Sequence, residues 1–185
     1  MEVDVTHGES EADAPTGESV APRTPMFDLK TRAREIREGL HLSLQVPRWK
    51  QPDVFVKFKP VASEEFATAQ GKRERDGGPS WVLLSYCDAI ADSCEEVYFC
   101  HPDDTHLPHA ERQKFSLADG DPYGPKTRFD SKLADALGLI IAPDDPNKIA
   151  TIVRGLYLTD GDIISAAGDL LDWSSRASVK AEGDF

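Results

Sequence analysis

The side chains with the most obvious chemical potential in this chain are Cys87, Cys94, Cys100, His101, His106 and His109, thiols and imidazoles of the kind zinc prefers. Their spacing argues against a metal centre. No CxxC pair is present, Cys87 and Cys94 stand two helical turns apart, and cysteines on apolar stripes usually fill cores. His101, Asp103, His106 and His109 read instead as a solvated loop. Asp103-Asp104, Asp119-Gly120-Asp121 and Asp160-Gly161-Asp162 look like the start of calcium loops, yet none runs on into the full loop pattern with its closing glutamate. A hydrolase needs a nucleophile beside a base, and neither a GxSxG elbow nor a Cys/His motif occurs. Gly77-Gly78 lacks the Lys-Ser/Thr of a phosphate loop, and the adjacent pairs Glu64-Glu65 and Glu95-Glu96 cannot face one another across a site from one helix. The chemistry-bearing residues therefore predict no enzyme, no cofactor and no metal.

The elements around these residues predict an α+β fold that is predominantly helical, with a small β-hairpin or short sheet. Residues 1–24 read as a disordered acidic tail and residues 25–185 as one mainly helical domain. Within residues 1–22 there are six acids and no Lys or Arg, and almost no large apolar side chain that could offset the entropy of ordering. The sign then reverses, with seven bases and three acids from Arg23 to Lys50. Lys30, Arg32, Arg34 and Arg37 fall on an expected helix that Asp28 caps and Gly39 stops, a basic face suited to solvent, to the acidic tail or to an acidic partner. Pro47 and Pro52 bracket Trp49 in a stiff extended connector. Val54, Val56 and Phe58 alternate with Phe55, Lys57 and Lys59, which predicts a strand with one mainly buried face. Ser63-Glu64-Glu65 opens a helix to about Arg75. Val82, Leu83, Tyr86, Ile90, Ala91 and Cys94 predict a core helix from Ser80 to about Glu96, followed by a strand at Val97–Cys100 and a partner strand at 114–117.

The last third, residues 129–176, is the most regular part and predicts three helices. Asp130 caps the first and Gly138 ends it; Pro146 suits the first turn of the second; Thr159 caps the third, with Asp162 in the reciprocal capping position. Ser174 and Ser175, after Trp173, are expected to end that last helix.

Charge narrows the class of partner. With 33 acids against 21 bases, the formal net charge of −12 repels nucleic-acid phosphates and anionic lipid and favours a basic partner or basic segment. No apolar run reaches the roughly 20 residues that span a bilayer, and Met1-Glu2-Val3-Asp4 lacks the start of a signal peptide, so a cytoplasmic location without membrane contact is expected. Three widely spaced cysteines agree with a reducing compartment and predict no disulfide framework.

Several segments together carry a family resemblance. They are Val46-Pro47-Arg48-Trp49 ahead of a short strand, a helix ending in a Cys-containing apolar stripe, Phe129-Asp130-Ser131-Lys132-Leu133 with its continuation to Gly138, Ile152-Val153-Arg154-Gly155-Leu156-Tyr157-Leu158 running into Thr159-Asp160-Gly161-Asp162, and Leu170-Leu171-Asp172-Trp173-Ser174. Over roughly residues 40–178 the chain resembles the tail assembly chaperones of long-tailed, siphovirus-type actinobacteriophages. The resemblance implies a non-enzymatic assembly factor, working in the host cell cytoplasm, that coats the helical tape measure protein in many copies, promotes tail tube assembly and leaves before the virion matures. It also implies the tail tube protein and a frameshifted longer form of the same chain as further partners. The long acidic tail is not part of that family pattern. The aromatic and aliphatic anchors expected to meet a partner are Trp49, Tyr157, Leu170 and Trp173, with core packing as the competing role for Leu170 and Trp173. Two other classes fit the composition: a virion structural protein such as a head-tail connector or minor tail protein, and an acidic regulatory or inhibitory protein that occupies a basic groove.

Overall fold

The computed structural model describes residues 31, 35, 36, 39–76, 78 and 80–183, with side chains up to 177. The expected acidic tail lies outside the described residues. So does most of the expected basic helix, of which Thr31, Glu35, Ile36 and Gly39 are described and helical.

The fold is mixed α+β: five helices and a four-stranded antiparallel sheet among the described residues. The strands are β1 (Leu42–Gln45), β2 (Asp53–Phe58), β3 (Cys94–Cys100) and β4 (Lys114–Ser116), adjacent in that order. Helices α1 (Ser63–Asp76) and α2 (Trp81–Ser93) lie between β2 and β3 in sequence, and α3 (Ser131–Ala136), α4 (Lys148–Tyr157) and α5 (Asp160–Gly183) follow the sheet. The β1–β2 turn contains a cis Gln51–Pro52 peptide.

Residues opposite one another on antiparallel strands share a face. Leu44, Val56 and Val97 line up across β1, β2 and β3, as do Val54 and Phe99. This face meets Cys87 and Ile90 of α2, Leu133 of α3, Val153 and Leu156 of α4 and Ile163 and Leu170 of α5 in one hydrophobic core. The opposite face is not simply solvated. Phe55 stacks on Tyr98 with ring centroids 5.7 Å apart, and these two form a second small core with Cys100. The strand expected to bury one face therefore buries residues on both, because the segment at 102–111, two short 3-10 turns, covers the far side with His109 4.3 Å from the Phe55 ring.

Two boundaries differ from expectation for identifiable reasons. The α2 pattern runs only to Ser93, and Cys94 begins β3. Lys57 pairs with Glu96 while Phe58 pairs with Cys94, so Glu95 is an extra residue in the ladder, a β-bulge. The bulge restores Cys94 to the core face, where it also stands one helical turn after Ile90, and so the strand imitates a continued helix. Ser174 and Ser175 do not end α5 either. The Ser174 hydroxyl donates to the Leu170 carbonyl at 2.7 Å and accepts from Val61 N at 3.0 Å, and the buried stripe continues through Ser174 to Ala177.

Asp130 and Thr159 cap α3 and α5 as their residue types predict. Pro146, expected in the first turn of the second helix, lies instead in the turn before α4, whose N-cap is Asn147. Asp130 Oδ1 accepts from Lys132 N at 3.0 Å and from Leu133 N at 3.2 Å. Thr159 Oγ1 accepts from Asp162 N at 3.2 Å and donates to the Asp162 carboxylate at 2.6 Å. That hydroxyl, together with Arg48 at 2.7 Å, holds the Asp162 carboxyl below its ordinary value. Between α4 and α5, Leu158 has the left-handed backbone of a helix C-cap, φ 66°, and its side chain is exposed.

Two tests follow from this junction. Leu158→Gly should raise stability by about 1 kcal/mol in urea denaturation, since glycine takes the left-handed region without the steric cost that leucine meets. Asp162→Asn should lower the melting temperature at neutral pH. Because the folded carboxyl is depressed, that contribution is present above the unfolded aspartate value near about 4 and is lost as pH falls through the folded one, so the gap between variant and wild type should close on acidification.

Candidate binding groove

The four expected anchors do not make a surface. Leu170 and Tyr157 are sealed in the main core at 0% and 1% exposure, so as partner anchors they are corrected to packing residues. Trp49 and Trp173 are half-buried and pack against the same core. Trp49 has a defined internal task, because its indole N–H donates to the Leu156 carbonyl at 2.8 Å. Residue type alone does not distinguish a core tryptophan from an interface tryptophan. The stripe that buries Ile163, Ala167 and Leu170 is the same stripe that a partner would have used.

The thiols and imidazoles are dispersed. Cys87 and Cys94 are in the main core, where burial pushes their thiols up to about 11 and about 12 and keeps them protonated. Cys100 is on the far face with Phe55 and Tyr98. His109 Nε2 lies 3.0 Å from the Tyr98 hydroxyl, and burial, then Lys114 and Arg112, lower its proton affinity. His106 Nδ1 is 2.8 Å from the Asp103 carbonyl, and His101 accepts from Asp103 N. Among the described residues no group of three or more His, Cys, Asp or Glu could hold a metal ion, and no helix is long and apolar enough to cross a membrane. Asp121 and Asp160 have local partners, the amide of Tyr123 and Arg154.

A concave apolar feature lies elsewhere, between α3, the extended run at 139–143 and the start of α4. It is an open groove of about 450 Å³, with Phe129, Ala134, Leu139, Ile141, Ile149 and Ile152 among its walls and Asp130, Asp135 and Lys148 at its edge. Local sequence explains each wall. Gly138 at φ 66° turns the chain out of α3, and Leu139 N returns to the Ala134 carbonyl at 2.9 Å. The following residues alternate: Leu139 and Ile141 pack against the core while Ile140 projects fully into solvent, at 101% exposure. Leu139 can sit close to α4 because residue 155 is glycine; a Cβ there would lie 2.5 Å from Leu139 Cδ1. The far end is fastened by Asp145, whose carboxylate accepts from Asn147 N at 2.8 Å, and by Arg73 of α1, which donates to the Asn147 side chain at 3.1 Å. Arg73 is itself held by both oxygens of Asp88 on α2, at 2.7 and 2.9 Å.

Little in the sequence marks this groove: its signal is the run Leu139-Ile140-Ile141 between Gly138 and Pro143, too short for a helix and without the alternation of a strand. Comparison of the chain with protein-family models, curated proteins and solved structures finds no match.

The burial pattern separates packing from surface experimentally. Leu170→Ala should cost about 2–5 kcal/mol in denaturant unfolding, the range for truncating a buried leucine. Tyr157→Phe should hold or raise stability, because the Tyr157 hydroxyl is buried without a hydrogen-bond partner and its removal ends a desolvation cost of about 1–3 kcal/mol.

Proposed function

We propose that this protein is a phage tail assembly chaperone, a non-enzymatic binding module that coats a tape measure protein and promotes tail tube assembly around it. The observation that carries the reading is spatial. The segments that bear the resemblance are far apart in sequence, yet Trp49 donates to Leu156, Arg48 pairs with Asp162, and Leu170 and Trp173 join the core that Trp49 and Leu156 share. These segments are thus the framework of one fold, which is the kind of pattern that relatives with divergent surfaces retain.

The finer parts of the proposal follow from what such a factor must do. It is a mainly helical module that makes many weak, reversible contacts with an aggregation-prone helical client, in several copies along it. The six acids within residues 1–22 add negative charge that discourages self-association of the coated clients. The protein works in the host cytoplasm, contacts the tail tube protein and a frameshifted longer form of itself, and is absent from the mature virion. An acidic inhibitor of a basic groove has less support, since ordered acids such as Asp53, Asp88, Asp160 and Asp172 are paired with arginines of the same chain.

Co-expression with the tape measure protein of the same genome tests the reading. A soluble complex holding several copies of this chain, absent when the chain is left out, is the expected result. An insoluble tape measure protein beside an unbound chain would overturn it, and stoichiometric recovery of the chain from purified virions would replace it with a structural role.

A further inference from the structure

We propose that α1 is a releasable cover, which lifts off α2 and unwinds as a unit while the rest of the fold stays closed, and that the Arg73 guanidinium is the latch that sets how often it does so. The inference rests on packing within the chain and stands whether or not the chaperone reading holds.

The sequence of α1 is poorly suited to hold a helix down by burial. Seven of its 14 residues are charged, Phe66 is its one large apolar side chain, and Gly71 stands in its interior, where glycine lowers helix stability. None of its residues is buried. By contrast, α2 buries Ser85, Cys87, Ala89, Ile90 and Ser93, and α4 buries Ala150, Ile152, Val153, Leu156 and Tyr157. A helix as short as α1 is marginal in water by itself, so once lifted it unwinds.

Little apolar contact fastens it. Its packing partner is α2, and the Phe66 ring lies nearly parallel to that of Tyr86 with centroids 6.4 Å apart. Beside this pair the two helices part around an open cavity of about 210 Å³, with Phe66 and Ala69 on one wall and Ala89 and Ser93 on the other. Lifting α1 therefore breaks one aromatic pair and few close-packed contacts, and it bares Tyr86 and Ala89 to water.

The polar fastening is concentrated in one residue. Arg73 Nε donates to Asp88 Oδ2 at 2.7 Å and Nη2 donates to Asp88 Oδ1 at 2.9 Å, while Nη1 donates to Asn147 Oδ1 at 3.1 Å. One guanidinium thus ties α1 to α2 and to the start of α4. Its fork matches the carboxylate with two parallel bonds, the strong form of this interaction. The Arg73 and Asp88 side chains are 21% and 20% exposed, which leaves the pair within reach of dissolved ions.

The two ends of α1 are held differently. Just before it, Val61 N donates to the Ser174 hydroxyl of α5 at 3.0 Å, which pins the entry to the body of the fold. Just after it, Gly78 has φ 115°, a conformation that glycine adopts freely. Release therefore runs from the exit end, where Arg73 is the last tie before the chain leaves for α2.

The test is hydrogen–deuterium exchange of the full-length chain, read by mass spectrometry on segments 66–76, 81–93 and 148–157. In the wild type the α1 amides should exchange at least about a hundredfold faster than the slowest amides of α2 and α4. Arg73→Met, which keeps most of the aliphatic stem, and Asp88→Asn should each speed α1 by at least about a further tenfold, with the slowest amides of α2 and α4 changing by less than about threefold. Arg75→Met, at an exposed position without an ion pair among the described residues, should leave α1 unchanged. Raising salt from about 0.05 M to about 0.5 M should speed α1 in the wild type and have no such effect in Arg73→Met.

Exchange of wild-type α1 at the rate of α2 and α4 would overturn the inference, because the three helices would then open only together. If Arg73→Met sped all three alike, Arg73 would support the whole fold and the latch would be refuted. Fast exchange of α1 that ignores Arg73→Met, Asp88→Asn and salt would refute it too, since the helix would then open without a latch.

Discussion

The helical layer of this protein depends on how the end of α4 is tied to the β1–β2 turn. The last carbonyls of a helix have no partner within it, and a buried one left unpaired costs as much as a lost hydrogen bond. Leu156 is in that position, fully buried, and the Trp49 indole N–H supplies the partner. One residue earlier, Arg48 reaches Asp162 in the first turn of α5. Two consecutive residues of the turn therefore fasten the end of one helix and the start of the next. Val46, two residues before Arg48, is buried and its amide bonds to the Val54 carbonyl, so the clasp is continuous with the sheet. Once α4 and α5 are fixed to the β1–β2 end, α2 has a defined slot against both, and α3 closes on α4.

How far the fold was legible in the sequence depended on whether the signal was local. Asp130, Thr159 and Asp162 act within a few residues of themselves, and their capping roles could be read directly. Strand β2 was legible through its alternation, and β4 as the partner of β3. What could not be read were features settled by distant residues. The bulge at Glu95 is stabilised from outside β3, with His41 Nδ1 at 2.8 Å and Lys57 Nζ at 3.3 Å from its carboxylate, and without it the 94–100 run does not alternate. Ser174 looked like a helix stop because serine competes for backbone hydrogen bonds. Its partner, the amide of Val61, lies more than a hundred positions earlier in the chain. Strand β1 does alternate, with Leu42 and Leu44 apolar and Ser43 and Gln45 polar, but it is only four residues long and close to Pro47, so its signal was too short to stand out.

The candidate site was less legible than the fold. Choosing Trp49, Tyr157, Leu170 and Trp173 relied on the enrichment of large side chains at interfaces, but the same side chains are preferred in cores. Only the three-dimensional packing divides them. Conversely, Leu139 and Ile141, which line the groove, come from an aliphatic run that carries no composition typical of an interface. The decisive residue for that geometry is a glycine. Gly155 is not among the lining residues, yet its missing Cβ lets Leu139, which is one of them, lie against α4.

The construction of the groove also bears on what kind of binding it can support. Its walls are held at both ends, by the Gly138 reversal on one side and by the Asp145, Asn147 and Arg73 contacts on the other, so little chain needs to be ordered when a partner arrives. A preformed site lowers the entropic cost of binding, which favours rapid capture. The rim acids act in the same direction, since exposed charges raise association rates more than they deepen affinity, and salt screens them within about 10 Å. The apolar area, by contrast, is limited to one short furrow. Fast association combined with a small buried surface gives a short-lived complex with whatever seats there, and tighter binding would need several such sites acting together.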